Sequence, residues 1–413
     1  LEIKAVETDG EGDDFDIDES TKGEENFNEQ EPSYGSSEET KNDESSIKKK
    51  FATYYSKILF FAFLTDSKVM SLQEILDEIN ENLNNQRLAK NLGLKIEILN
   101  VFQAALNPFI LSELDYKIQN INTLTNDSTL QPIERAEIAM RKFTRLSESE
   151  IVTPENVTER MINVFPEGAI TDETKLLDIA SKQGEFAFAC YKKFGKNIAK
   201  NFYSIPTSKI AYEFTRKVYE LLELDVSHIE SEFTSYDLIK EDNEIIKDNQ
   251  VKINNDDMKF DVVIGNPPYQ QMDGGAQASA KPIYHDFVTI IKEIDPNFST
   301  LIMPSRWYAG GRGLDTFREN MLNDKSISVL NDFLNPESLF PGTNIRGGIC
   351  FILWEKNYDN EKELTTVITH RTNSDPVIAK RLLKTDESET FIRFSEAISI
   401  IEKTNQEENL SKF

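Results

Sequence analysis

The stretch from Phe260 to Tyr269 reads FDVVIGNPPY, a short apolar run that ends in an asparagine, two prolines and an aromatic residue. The apolar run predicts a buried strand, which ends there because proline lacks an N–H and keeps the residue before it out of the helical region. The Pro267 carbonyl and the Asn266 side-chain oxygen are then left as hydrogen-bond acceptors. Two acceptors beside the Tyr269 ring suit an amino group on a planar substrate. The alternative is an ordinary strand-to-loop turn that contains two prolines.

A second strand-to-loop segment lies about 80 residues earlier, where Leu176 to Phe186 reads LLDIASKQGEF. It predicts a strand that runs through small residues into a helix. In doubly wound α/β folds, ligands bind at such loops, near the point where the strand order reverses. Glycine there lets a ligand approach the backbone closely. Together the two segments predict a ligand site between two loops of an α/β domain.

Composition divides the 413-residue chain into four predicted parts. Residues 1–50 are acidic and poor in aliphatic residues, which predicts a disordered linker. Residues 51–149 are predicted to form an α-helical domain, because apolar residues at 72, 75, 76, 79 and 83 follow helical spacing. Residues 150–360 alternate strands with helices, and 361–413 are a polar C-terminal extension. The predicted strands are 175–179, 201–205, 260–264, 300–303, 327–333 and 349–354, the last as one arm of a hairpin.

The charge of the chain limits its partners. The net charge is −26, and residues 1–47 hold 17 acidic residues against 3 lysines, so the remainder carries −12. Binding to a polyanion therefore requires a local basic surface or a partner domain.

Other residue types narrow the class of protein further. Cys190 and Cys350 are predicted to be buried hydrophobic residues in a reducing cytoplasm. The three histidines share no metal-ligand spacing, so no metal site is expected. The sequence also contains no phosphate-binding Gly-Lys-Ser/Thr loop, and it therefore gives no indication of an ATPase. The longest apolar run is too short to span a bilayer. The first residue is Leu, which led us to expect a fragment of a longer polypeptide.

The two segments, in this order, resemble those of S-adenosylmethionine-dependent DNA methyltransferases that act on amino groups. The resemblance is strongest to the adenine-N6 module of large, type II bifunctional-like restriction-modification enzymes. It extends over residues 150–400 and includes Thr153-Pro154, the run MPSRW at 303–307 and the run FPGTNIRGG at 340–348. Thr153 is equally suited to be a helix N-cap with proline at the first helical position. The resemblance implies a Rossmann-like doubly wound sheet with a β-hairpin, preceded by an α-helical domain.

The resemblance also implies roles for individual residues. Asn266 and Pro267 accept hydrogen bonds from the target amino group, and Tyr269 stacks on the base once it has left the helix. Asp261 is expected to be structural. The implied catalytic residues are Asn266, Pro267, Pro268 and Tyr269, and the residues for the cofactor S-adenosylmethionine are Thr153, Pro154, Asp178, Ala180, Gly184, Phe186, Glu232 and Asn266. Basic residues interleaved with aromatic residues on loops after the catalytic strand predict contacts to DNA, with solvated loop charges as the alternative. The residues predicted to bind DNA are Lys281, Arg306, Trp307, Arg312 and Arg346.

Two positions depart from the family pattern. Lys182 stands where the family has the first glycine of the loop, and the segment 203–207 lacks the acid that usually ends the second strand and takes the cofactor's ribose hydroxyls. A lost charge-assisted hydrogen bond costs about 1.5–3 kcal/mol, roughly ten- to a hundredfold in affinity. We therefore predict weak cofactor binding, unless Glu213 or another nearby acid substitutes.

The implied partners are double-stranded DNA and covalently linked target-recognition and nuclease or helicase domains outside these residues. Without a target-recognition domain, DNA binding is expected to be weak and to show little sequence preference. Two alternatives stay open. One is a methyltransferase for protein glutamine, since a primary amide presents a similar flat NH₂ group. The other is a catalytically degenerate module that binds DNA or partner domains. The choice of adenine over cytosine rests on the resemblance alone.

Overall fold

The computed structural model describes residues 38–127, 129–147, 150–240, 244–271, 281–311, 313–343, 345–372, 374–385 and 388–410. The chain forms two compact units, Leu1–Thr144 and Arg145–Phe413. Most of the predicted acidic linker, residues 1–37, lies outside the described residues. The prediction is wrong for residues 38–50, because they are helical.

The first unit is helical. Its helices are α1 Glu38–Leu64, α2 Leu72–Glu81, α3 Leu83–Leu92, α4 Ile96–Ala105, α5 Pro108–Asn126 and α6 Pro132–Lys142. Helix α2 begins after Ser71, whose side chain accepts a hydrogen bond from the Glu74 N–H. The predicted apolar face of α2 is buried at Leu72, Ile75, Leu76 and Ile79. Leu83 does not belong to that face, because Asn82 ends α2 and starts a new helix, and Leu83 is 79% exposed.

The second unit mixes strands and helices. In chain order these are α7 Glu155–Asn163, β1 Leu176–Ser181, α8 Glu185–Phe194, α9 Lys196–Ala199, β2 Phe202–Pro206, α10 Lys209–Leu221, β3 Ile246–Lys247, β4 Gln250–Ile253, β5 Asp256–Met258, β6 Val262–Gly265, α11 Tyr284–Ile294, β7 Phe298–Pro304, α12 Asp315–Leu322, β8 Ile327–Phe333, β9 Ile349–Glu355, α13 Asn360–Glu363, β10 Thr365–His370, β11 Val377–Arg381 and α14 Ser395–Leu410. All six strands predicted from the sequence are present, as β1, β2, β6, β7, β8 and β9.

The main sheet has eight strands in the order β11-β10-β8-β9-β7-β6-β1-β2. Strand β1 lies between β2 and β6 and is parallel to both, so the strand order reverses at β1. Strand β9 is antiparallel to both β7 and β8, which confirms the predicted hairpin. The predicted α/β class with a doubly wound sheet is therefore confirmed. A small sheet of β3, β4 and β5 was not predicted.

The register of β1 and β6 places the two motif segments side by side. Asp178 on β1 pairs with Ile264 on β6, so the loops that follow these strands leave the same edge of the sheet. The strands approach each other closely at Gly265, where an added Cβ atom would lie 2.9 Å from Ile179 Cγ2. Glycine at this position therefore permits the approach of the two strands.

Residues beyond 360 belong to the sheet. Strand β10 pairs with β8 in parallel, and β11 pairs with β10. Arg393 then donates two hydrogen bonds to the fully buried carboxylate of Asp332 on β8, at 2.8 Å and 2.6 Å. The predicted domain end at residue 360 is thus too early.

The two cysteines are buried, as predicted, each at 0% exposure. Burial raises the pKa of Cys190 to about 12 and that of Cys350 to about 11. None of the helices in the described part of the chain combines the length and apolar character needed to cross a membrane.

Candidate active site

The loops that follow β1 and β6 are joined by a direct contact. The Lys182 ammonium donates a hydrogen bond to the Asn266 carbonyl at 2.8 Å. Both residues are buried, at 5% exposure each. The segment of the predicted cofactor site and the segment of the predicted catalytic site therefore form one site at the carboxyl edge of the sheet.

The orientation of the Asn266 amide is fixed by its neighbours. Its Nδ2 donates to the Thr153 hydroxyl at 3.1 Å, and that hydroxyl donates to Glu185 Oε1 at 3.1 Å. A carboxylate only accepts, so the single hydroxyl hydrogen of Thr153 points to Glu185 and its lone pair receives the Asn266 amide hydrogen. The Asn266 Oδ1 atom is consequently the end of the amide turned away from Thr153.

The two predicted acceptors are available. Within the described residues, neither Asn266 Oδ1 nor the Pro267 carbonyl receives a hydrogen bond, and Lys182 bonds instead to the backbone carbonyl of Asn266. The second proline, Pro268, is half-buried.

Tyr269 packs against the hydrophobic core. Its ring is half-buried and lies edge-on to Tyr284, with ring centroids 6.5 Å apart. Burial raises the pKa of the Tyr269 hydroxyl well above its usual value. The Tyr269 carbonyl accepts from the Ile283 N–H at 3.1 Å, which brings the exposed Lys281 to the same loop.

The β1–α8 turn depends on glycine and on local hydrogen bonds. Gly184 has a φ of 73° and is the N-cap of α8, so a side chain there would be strained. Its N–H donates to Ser181 Oγ at 3.1 Å, and the Ala180 N–H donates to Asp178 Oδ1 at 3.0 Å. Burial raises the pKa of Asp178 well above its usual value, and the nearby charge of Glu185 raises it further.

The carboxylate of Glu185 is surrounded by hydrogen-bond donors. Oε1 accepts from the Thr153 hydroxyl at 3.1 Å and the Thr153 N–H at 3.4 Å. Oε2 accepts from the N–H groups of Lys182 at 3.3 Å and Gln183 at 2.8 Å. The positive end of α8 favours an anion here. The sequence analysis missed Glu185, although a glutamate just after an N-cap glycine is a signal for such an interaction.

Thr153 does not cap a helix. The N-cap of α7 is Pro154, and the Thr153 side chain contributes to the site through Glu185 and Asn266. The helix-cap alternative for Thr153 is therefore wrong, because its hydroxyl is used elsewhere. Phe186 is fully buried, so its side chain supports α8 from within the core.

The acids near the end of β2 have different surroundings. Glu232 is exposed, whereas Glu230 is buried and accepts the backbone N–H groups of Glu232 and Asn254. Glu213 is fully buried and forms an ion pair with Arg216. Among these residues, Glu232 alone retains an exposed carboxylate.

A further carboxylate comes from outside the predicted motifs. Glu150, which is 7% exposed, accepts a hydrogen bond at 2.6 Å from the hydroxyl of Thr207, the residue after β2. It thus places an acid at the end of β2, where the sequence shows none. Its position 57 residues earlier in the chain hid it from the sequence analysis.

The predicted DNA-binding residues divide into three groups. Lys281 and Arg346 are exposed and Arg306 is half-buried, so all three retain a surface. Trp307 is fully buried in the core beside Tyr308, with ring centroids 4.6 Å apart, so the prediction that it contacts DNA is wrong. Arg312 lies outside the described residues.

Asp261 is structural, as expected, because its carboxylate accepts from the Lys175 N–H at 2.9 Å and from the Asn297 amide at 3.3 Å. In the described ranges, no group of three or more His, Cys, Asp or Glu residues has the geometry to hold a metal ion.

Comparisons with known proteins give the same family as the motifs. Residues 176–340 match the family described as Eco57I restriction-modification methylase. This range contains both loops of the site. The resemblance stated from the motifs is thus confirmed for this part of the chain.

Individual proteins match over different lengths. An uncharacterised adenine-specific methylase of Mycoplasma pneumoniae is 33% identical over 130 residues, which are 31% of this chain and 31% of that protein. The chain therefore matches less than a third of that relative's length.

Two solved structures are similar at low identity. The methyltransferase subunit of a type I restriction-modification system from Streptococcus thermophilus is 12% identical, with a TM-score of 0.48, over 81% of this chain and 73% of that one. A putative class I S-adenosylmethionine-dependent methyltransferase from Listeria monocytogenes is 12% identical, with a TM-score of 0.41, over 80% of this chain and 98% of that one.

Proposed function

We propose that the second unit transfers a methyl group from S-adenosylmethionine to the N6 amino group of adenine in DNA, as part of a restriction-modification enzyme. The observation that supports this most directly is the pair of acceptors, Asn266 Oδ1 and the Pro267 carbonyl, which receive no hydrogen bond within the described residues. The match of residues 176–340 to a methylase family supports the same reaction.

The donors around the β1–α8 loop have the chemistry that an amino-acid cofactor requires. Backbone N–H groups at a helix N-terminus and the Thr153 hydroxyl suit a carboxylate, and Asn266 lies next to them. In this structure the Glu185 carboxylate engages those donors. Bound there, S-adenosylmethionine would supply a methyl group on a sulfonium, which is a good leaving group.

The chain's own contribution is to position and activate the amino nitrogen. The lone pair of an exocyclic amino group is delocalised into the ring, which makes the nitrogen a poor nucleophile. Two acceptors on its hydrogens favour the tetrahedral geometry and hold the nitrogen in one orientation. The same acceptors stabilise the positive charge that develops on nitrogen. Methyl transfer with Asn266 and Pro267 as acceptors thus requires neither a metal nor a covalent intermediate.

DNA is the proposed substrate, with the target base turned out of the helix towards Tyr269. Arg306, Arg346 and Lys281 supply positive charge on loops after β7, before β9 and after β6. Phosphate contacts of this kind position a duplex without reading its sequence. Because the whole chain is acidic, DNA affinity depends on these loops and on target-recognition, nuclease or helicase domains elsewhere in the enzyme.

The test is a transfer assay with methyl-labelled S-adenosylmethionine, in which duplex DNA and a mixture of proteins are offered separately. We expect label on DNA, recovered as N6-methyladenine after digestion to nucleosides. Label on N4-methylcytosine would correct the base. Label on protein glutamine, with none on DNA, would contradict the proposal and favour the protein-methylating alternative.

A further inference from the structure

The β1–α8 loop contains two buried charged side chains. Lys182 lies two residues before Gly184 and Glu185 lies directly after it, and they are 5% and 1% exposed. Lysine and glutamate are almost never buried so completely unless partners compensate the cost of desolvation. Their partners therefore indicate which ligand groups this part of the site is built to receive.

Glu185 uses the donors that a ligand carboxylate would need. Two of its four hydrogen bonds come from Thr153 and two from the N–H groups of Lys182 and Gln183 at the start of α8. Such donors form an anion site, and an entering carboxylate would compete with Glu185 for them.

Lys182 supplies the matching cation. Its ammonium reaches across the site from the loop after β1 to the Asn266 carbonyl at 2.8 Å, at the start of the catalytic segment. Burial lowers the pKa of Lys182, while Glu185, Asp178 and Glu150 raise it, so acidic groups surround the ammonium. The turn itself thus contributes one ammonium, on Lys182, and one carboxylate, on Glu185, and these are the two charged groups of a free amino acid.

We infer that Lys182 and Glu185 are an internal substitute for the amino-acid end of S-adenosylmethionine, and that Lys182 must leave the Asn266 carbonyl before the cofactor binds. This inference rests on the proposed function. It explains how the glycine of the related loops is replaced here by a long cation whose buried ammonium has a hydrogen-bond partner in the chain. It also predicts selectivity, because a nearby lysine repels the sulfonium of S-adenosylmethionine more than the neutral thioether of S-adenosylhomocysteine.

The inference is tested by calorimetric titration of both nucleosides into the whole chain and four variants. Lys182→Gly removes the side chain, Lys182→Met removes its charge, and Lys182→Arg retains the charge. Lys200→Met is the matched control, because Lys200 is exposed just before β2, at the opposite edge of the sheet. Melting temperatures of all variants establish that they are folded.

We expect Lys182→Gly and Lys182→Met to bind S-adenosylmethionine at least tenfold more tightly than the wild type. The gain for S-adenosylhomocysteine should be smaller with Lys182→Met, while Lys182→Arg and Lys200→Met should show no gain. Wild-type affinity that equals or exceeds that of both Lys182→Gly and Lys182→Met would overturn the inference and leave the proposed function intact. If folded wild type and variants all fail to bind either nucleoside, the proposed function is wrong and the inference is wrong with it.

Discussion

The loops after β1 and β6 leave the same edge of the sheet, but they use their polar groups in opposite ways. After β6, Asn266 and Pro267 keep two acceptors without a hydrogen bond among the described residues. After β1, the Glu185 carboxylate accepts hydrogen bonds from N–H groups of the chain itself, and the Lys182 ammonium donates to the Asn266 carbonyl. The acceptors after β6 thus lack a partner within the described residues, whereas the charged groups after β1 already have partners in the chain. The two loops are nevertheless connected through Thr153.

The largest effect is expected from Asn266→Ala, which tests the loop after β6. Loss of one acceptor should lower methyl transfer by about 10²–10³-fold, because it stabilises charge only as the bond to nitrogen forms. Affinity for S-adenosylmethionine should stay nearly unchanged. The measurement is single-turnover transfer together with calorimetry.

The control for this variant is Asn201→Ala. Its amide bonds to the Asp172 carbonyl before β2, at the opposite edge of the sheet, so transfer should be unaffected. Wild-type turnover in Asn266→Ala would rule out the assigned role of this residue.

Thr153→Val should have the next largest effect, because it breaks the connection between the two loops. Without the hydroxyl, the Asn266 amide is no longer held with Oδ1 turned outward, and Glu185 loses one donor. Transfer should fall by about ten- to a hundredfold. Thr153→Ser should restore most of the rate. A loss in Thr153→Ser with no loss in Thr153→Val would show that the Thr153 methyl group matters, not its hydroxyl.

Two glycine substitutions should lower the free energy of unfolding for different reasons, one in each of the two motif segments. Gly265→Ala brings a Cβ atom to within 2.9 Å of Ile179 Cγ2, whereas Gly184→Ala meets neighbours only at 3.5 Å or more but keeps a φ of 73°. Overpacking at Gly265 should cost about 1–3 kcal/mol of unfolding free energy. Backbone strain at Gly184 should cost roughly 1–2 kcal/mol. Denaturant titration measures both, and a larger loss at Gly184 would reverse the comparison.

The smallest expected effect is on the pH dependence of stability, and it comes from His370, which lies outside both loops. His370 stacks on Phe333 and faces Asn331 Oδ1 at 3.2 Å. Burial lowers its pKa to about 4, with Arg160 acting in the same direction and Asp332 opposing it.

The sign follows from this lowered pKa. Between pH 6.5 and about 4, His370 binds a proton in the unfolded chain but stays neutral in the folded chain. The free energy of unfolding therefore falls as the pH drops through this range. The expected loss is roughly 1–2 kcal/mol after solvent screening. His370→Gln should flatten this part of the stability curve. An unchanged curve would assign the acid sensitivity to other groups, including those of the β1–α8 loop.

The sequence predicted the main sheet well. Each of the six predicted strands is a compact apolar run between loop residues, and the Asn-Pro-Pro run carries its own geometric restriction. Strands β10 and β11 were missed because they lie at one end of the sheet. There TTVITH alternates buried and half-buried positions, VIAKR alternates half-buried and exposed ones, and both appear polar.

The cofactor half was predicted less completely because its contacts join distant residues. The bond from Lys182 to Asn266 spans 84 residues, and the bond from Thr207 to Glu150 spans 57. No local sequence pattern predicts hydrogen bonds between residues so far apart in the chain. Trp307 was predicted to contact DNA because it lies beside arginines on a loop after the catalytic strand, yet its size favours burial, and the core accommodates it.

The pairing of Arg393 with Asp332 affects how this polypeptide can be divided for expression. A product cut after residue 360 would lack β10 and the guanidinium that neutralises Asp332. An uncompensated charge inside the protein typically costs 3–5 kcal/mol, and the uncovered edge of β8 would offer unpaired backbone groups to neighbouring molecules. A soluble recombinant fragment should therefore extend past Arg393.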